Sequence, residues 1–164
     1  MKKLVMLGLL ILASVRGFAQ DSVSHQHILS IGKVSLGAMI TIAGTANFPL
    51  QEKPFDVWYG FAPSCNIFTG RTHHHVMYGM ANNSIQTLHG YFLPNSFDVY
   101  VFYSQNLNSL SKKYAAVGIE KVVSAGEYVK YVFFGEVGSN LLGGNSMSFG
   151  VVIHPQMTIW GREN

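Results

Sequence analysis

Charge is what this sequence has least of. Only 12% of its 164 residues are Asp, Glu, Lys or Arg, against roughly a quarter in ordinary soluble domains. A soluble fold shows such residues to water, so the shortfall raises the question of which solvent the chain faces. Cysteine is nearly absent as well. Cys65 is the single example, which excludes an intramolecular disulfide and leaves an exported domain to be held by its core, by metal or by lipid. Long apolar runs are missing beyond the first twenty residues, so no later segment can cross a membrane as a helix. Helical periodicity is missing there too, and no repeat stands out beyond a strand-and-turn rhythm.

The one long apolar run lies at the start. Lys2 and Lys3 precede Leu4 to Val15, and Gly17-Phe18-Ala19 leads to a cleavage point near residue 20. The pattern predicts a secretory signal peptide over 1–20 and a single domain over 21–164. Three of the 11 Lys and Arg leave with the signal, and the eight that remain balance the eight Asp and Glu. The basic excess therefore belongs to the signal, and no nucleic-acid partner is expected.

What the remainder does contain is alternation. From Asn145 to Trp160, one face carries Met147, Phe149, Val151, Ile153, Pro155, Met157 and Ile159, and the other carries Ser146, Ser148, Gly150, Val152, His154, Gln156, Thr158 and Trp160. Successive side chains on a strand point to opposite faces. The same pattern predicts strands over Lys33 to Thr45, Phe55 to Phe61, part of Ile67 to Met80, Ile85 to Phe92, Phe97 to Ser104, Lys113 to Val123 and Glu127 to Val137. With the last strand that makes eight. Ala62 to Asn66, Asn82 to Ser84, Pro94 to Ser96 and Ser124 to Gly126 read as short turns. Asn47 to Pro54, Asn106 to Lys112 and Gly138 to Gly144 read as longer loops.

Alternation alone fits a soluble sheet equally well. The second faces decide the reading, because the first and last strands place Ser, Gly, Thr, Met, Gln and one His there and no charge. Such groups suit the filled inside of an eight-stranded barrel, with the apolar faces turned to lipid. Phe55, Tyr91, Phe92, Phe97, Tyr103, Tyr114, Tyr128 and Trp160 lie toward strand ends, where interfacial girdles belong. The expected fold is all-β, an eight-stranded antiparallel up-and-down barrel. In this pattern the chain resembles small bacterial outer-membrane β-barrel proteins. The resemblance implies an outer-membrane location, membrane lipid as the surrounding partner, and a chain-terminal aromatic read by the assembly machinery. Trp160 would be that aromatic, with residues 161–164 following it.

Few residues point to chemistry. His73 and His75 share a strand face and could ligate one metal ion, while His74 points away; the plainer alternative is neutral imidazoles lining a polar interior. His25 and His27 form a second pair in the N-terminal tail. His89 and His154 are candidate bases and Asp98, Glu120 and Glu136 candidate acids for a lipid-modifying enzyme, but no nucleophile-elbow motif accompanies them. A Ser124 to Gly126 turn pairs Val123 with Glu127 and sets Glu120 opposite Lys130, which predicts an interior ion pair plugging the lumen. The expectation is a non-catalytic barrel without a cofactor, in a structural role or meeting a protein or surface ligand at its long loops. A lipid-modifying enzyme and a soluble exported domain binding a small ligand or metal are the alternatives.

Overall fold

The computed structural model describes residues 32–48, 55–109, 111–140 and 144–161. The expected signal peptide and the His25–His27 pair lie outside them. Eight strands form a closed antiparallel barrel in which each pairs with its sequence neighbours and the last with the first. They are β1 (Lys33–Phe48), β2 (Phe55–Thr69), β3 (Thr72–Gly79), β4 (Ser84–Phe92), β5 (Phe97–Asn106), β6 (Lys113–Ser124), β7 (Val129–Asn140) and β8 (Gly144–Gly161). Closure gives every strand two neighbours and removes most of the sheet edge that would otherwise carry unpaired backbone groups; the start of β2, before Phe61, is paired with β1 alone.

The polarity is that of a fold turned outside in. Ile42 is 51% exposed, Val117 61% and Phe149 56%, whereas Ser148 is 3% exposed and Ser35 and Asn66 are fully buried. Met39, Thr41, Ala62, Val152 and His154 line the lumen, so Ile40, Ile153 and Val151, one residue away on the same strands, face out. Among the girdle candidates Phe92 and Tyr114 line the lumen instead, because their places in the alternation are inward. Phe55, Tyr91, Phe97, Tyr103, Tyr128 and Trp160 remain outside, each exposed.

Three local expectations are corrected. Ala62 to Asn66 is not a turn but part of β2, which runs on to Thr69. The chain reverses at Gly70–Arg71, where Thr69 faces Thr72 and Gly70 takes φ +58°, a value that glycine adopts without strain. Pro63 lies within β2, and the β2–β3 ladder stops at Ser64–Met77, one residue short of it, where a missing N–H does little harm. The loop expected over Gly138 to Gly144 is strand at both ends, since β7 continues through Asn140 and β8 begins at Gly144. Pro155 faces Val129 in register; on its other side the β1–β8 ladder passes from Gly37–Gln156 to Ile40–Ile153, and the register shift falls further on, between Val34 and Ser35.

The third correction concerns register. The β6–β7 ladder closes with Ala125 N–H donating to the Val129 carbonyl at 2.8 Å, so the three loop residues are Gly126 to Tyr128. The loop has the expected length but sits two residues later, which displaces β7 by four residues along β6. Glu120 therefore faces Phe134, and Lys130 faces Ser124 on one side and His154 on the other. Because four is even, both side chains keep the inward face assigned to them.

Cross-strand partners trace the stagger of the barrel. From Lys33 they lead through Phe68, His73, Gly90, Tyr100, Gly118, Glu136 and Ser148 back to β1 at Thr45, twelve residues beyond the start. The parallel barrels of (β/α)8 enzymes close the same number of strands with a shear of about 8. A larger shear means more tilted strands and a wider barrel. The lumen accordingly keeps a cavity of about 660 Å³. Toward the loops that join β1–β2, β3–β4, β5–β6 and β7–β8 its walls mix small residues (Thr41, Ala43, Gly60, Ala62, Gly79, Ser148) with larger ones such as Trp58 and Tyr114. Toward the opposite, turn end they are bulky (Phe68, His73, His75, Phe92, Lys130, His154). The turn end is the more tightly filled of the two.

Candidate functional site

The filled end is where ionisable side chains meet. β3 begins just after the Gly70–Arg71 turn, so His73 and His75 enter the lumen close to that end while His74 faces outward. His74 meets His89 of β4 there, directly across the ladder, with their Nδ1 atoms 2.7 Å apart. His89 is thereby on the outer wall and away from the inner pair. Inside, His73 Nδ1 lies 2.7 Å from His75 Nε2. The His73 ring stacks on Phe92, centroids 4.7 Å apart, and on Phe68 at 6.3 Å.

β5 also starts at this end, after the Pro94–Ser96 turn, and Asp98 is its second residue. Asp98 is fully buried and His73 is 1% exposed. His73 Nε2 comes within 2.5 Å of Asp98 Oδ2, although β4 lies between their strands. Gly90 permits the reach: it faces His73 in the ladder, and a β-carbon there would collide with the imidazole. Asp98 in turn faces Glu120 across the β5–β6 ladder. Donor atoms of His73, Asp98 and Glu120 all lie within 4.8 Å of one another.

This group is poorly satisfied by the protein. Asp98 Oδ1 and Oδ2, His73 Nε2 and His75 Nδ1 have no hydrogen-bond partner, the short His73–Asp98 approach lacking hydrogen-bond geometry. Each such buried group costs on the order of 1–3 kcal/mol. Two facing carboxyls are acceptors only, unless a proton or a cation joins them.

A second polar group lies beside it. His154 Nε2 is 3.4 Å from Ser64 Oγ and 3.3 Å from Asn66 Nδ2, and Asn66 donates to Ser35 Oγ at 3.2 Å. This is the serine–imidazole contact that a hydrolase reading looks for. The carboxylate needed to orient the imidazole stands instead beside His73. Lys130 adds its charge to the same end, with Nζ 5.6 Å from the Phe68 centroid. Higher in the lumen, Glu136 accepts hydrogen bonds from Tyr100 at 3.0 Å and Tyr114 at 3.1 Å.

The inward facing of His73, His75, Glu120 and Lys130 was readable from alternation. The His73–Asp98–Glu120 group was not assembled from sequence. One signal was available: His73 and Asp98 each sit within a few residues of turns at the same end of an up-and-down barrel. It depends on the Gly70–Arg71 turn, and Pro63-Ser64 is the stronger turn signal in the sequence.

No protein-family model matches the chain, and no curated protein matches it. One solved structure is similar in fold, described as "De novo design of transmembrane beta-barrels". It is 14% identical, spans 72% of this chain and 94% of its own, and superposes with a TM-score of 0.44.

Proposed function

We propose that the protein is an outer-membrane β-barrel whose role is structural or interactive, meeting partners at its loop rim, with no catalysis of its own. The observation that carries this reading is the reversed polarity of the wall. Leu36, Ile40, Ile42, Val57, Phe61, Val99, Val101, Val117, Ile119, Phe133, Val137 and Phe149 are all at least 40% exposed. Left in water, an apolar surface that spans six of the eight strands would drive association. In hydrocarbon it needs no partner, and the closed ladder satisfies most of the backbone as that environment demands, the start of β2 excepted. The exposed aromatics near strand ends suit the two interfaces.

The buried, bulky turn end argues against a water-filled pore. Glu120 and Lys130 both belong to that end, and their opposite charges support the lumen-closing role expected of them, as lumen neighbours rather than direct cross-strand partners.

Cell fractionation tests the reading. The protein is expected in the outer-membrane fraction, released by detergent and not by alkaline carbonate. It should also migrate faster on a gel unboiled than boiled, because a closed barrel resists detergent unfolding. Recovery from the soluble fraction without such a mobility shift overturns it.

A further inference from the structure

We propose that the turn end of the lumen is a binding site for one divalent transition-metal ion, held by His73 Nε2 and the carboxylates of Asp98 and Glu120. This goes beyond the membrane-barrel reading, which assigns the lumen no ligand, and does not depend on it.

Three observations converge. The donor set is one imidazole and two carboxylates, a mixture that suits zinc and its first-row neighbours. Its members come from three strands and are brought within 4.8 Å by the fold alone. Asp98 is fully buried, and neither of its oxygens has a hydrogen-bond partner unless Glu120 carries a proton to share. The unpartnered group is thus aimed at the other two donors.

The distances suit a site that would tighten around an ion. Two donors of a tetrahedral ion, each bound at about 2.0–2.1 Å, stand about 3.3 Å apart. The His73–Asp98 approach of 2.5 Å is closer than this and the full set is looser, so an ion would part the first pair and draw Glu120 in. His75 completes the arrangement. Its Nε2 lies 2.7 Å from His73 Nδ1, so it can accept that proton and fix the tautomer that leaves Nε2 to the metal. The rival occupant is a proton shared between the two carboxyls, which binds no metal.

The test uses the full mature barrel, purified in detergent without a histidine tag and stripped with chelator. Zn(II) is titrated by calorimetry and Co(II) by visible absorption. About one equivalent is expected, with Co(II) d–d bands of low-coordinate character. Asp98→Asn and Glu120→Gln should each weaken binding at least ten-fold, while Glu136→Gln, at the separate tyrosine-bonded carboxylate, should leave it unchanged. The unboiled gel shift checks that each variant is folded. Should Asp98→Asn fail that check, Glu120→Gln and an upward shift of the wild-type unfolding midpoint with Zn(II) carry the decision. No uptake overturns the proposal in favour of the shared proton. Uptake that survives both carboxylate variants overturns it as well, as does uptake lost only on removing His74 and His89 or His25 and His27.

Discussion

Tyr100 leans across Gly118 on the neighbouring strand and gives its phenol hydrogen bond to Glu136 one strand further on, at 3.0 Å. His73 crosses Gly90 in the same way to reach Asp98. The device has a physical reason. In a closed sheet, inward side chains on adjacent strands stand side by side, and only a residue without a β-carbon lets a ring lie flat over it. A long polar side chain can then reach a partner two strands away.

Gly118→Ala is therefore expected to destabilise the barrel by about 1–3 kcal/mol, the usual cost of overpacking. The same change in a Tyr100→Ala background should cost much less. Urea unfolding of the four proteins of that cycle measures the coupling. Equal costs in both backgrounds would show that the ring and the glycine do not constrain each other.

The outer wall predicts a second asymmetry. Ile42→Arg places a charge against hydrocarbon and should cost about 2–4 kcal/mol if it lies near the bilayer midplane. Thr41→Ser, on the lumen side of the same strand, should cost little. Reversible unfolding from lipid vesicles, with the gel mobility shift as readout, compares them. An Ile42→Arg protein as stable as wild type would mean that this face does not meet lipid.

Register can be read chemically. The hydrogen bond from Ala125 to Val129 makes that pair a bonded one, so alternate pairs along the ladder, Val122–Val132 among them, are the non-bonded kind with close α-carbons. With Cys65 replaced by Ser, a Val122→Cys/Val132→Cys protein should form a disulfide on mild oxidation. A Val122→Cys/Tyr128→Cys protein, which the earlier turn would have favoured, should not. The opposite pattern would restore Glu120 to a place opposite Lys130.

The crowded turn end predicts that the wild-type barrel carries no steady ionic current across a planar bilayer. Phe68 and Phe92 stack there at 6.3 Å, and replacing both with Ala should admit water and produce measurable conductance. Open wild-type channels of stable size would contradict a sealed end.

Much of the fold was legible because alternation is a local property. Whether Thr41 or Ile42 faces in depends only on the pleat, and the choice between lumen and outer wall follows from which set is polar. The same rule turns Glu120 and Lys130 inward whatever the register between their strands. Turn positions were less legible. Pro63 and Ser64 look like turn residues, yet they lie in a strand, because the ladder with β3 ends beside Pro63 and no N–H is needed there.

Strand number and face thus came from the residues alone, since each depends on a side chain and its immediate neighbours. The stagger that carries Lys33 around to Thr45, the width it opens, and the meeting of His73 with Asp98 and Glu120 were decided only when the sheet closed. Register sums the small choices made at every turn, and a two-residue difference in one of them changes which distant side chains touch.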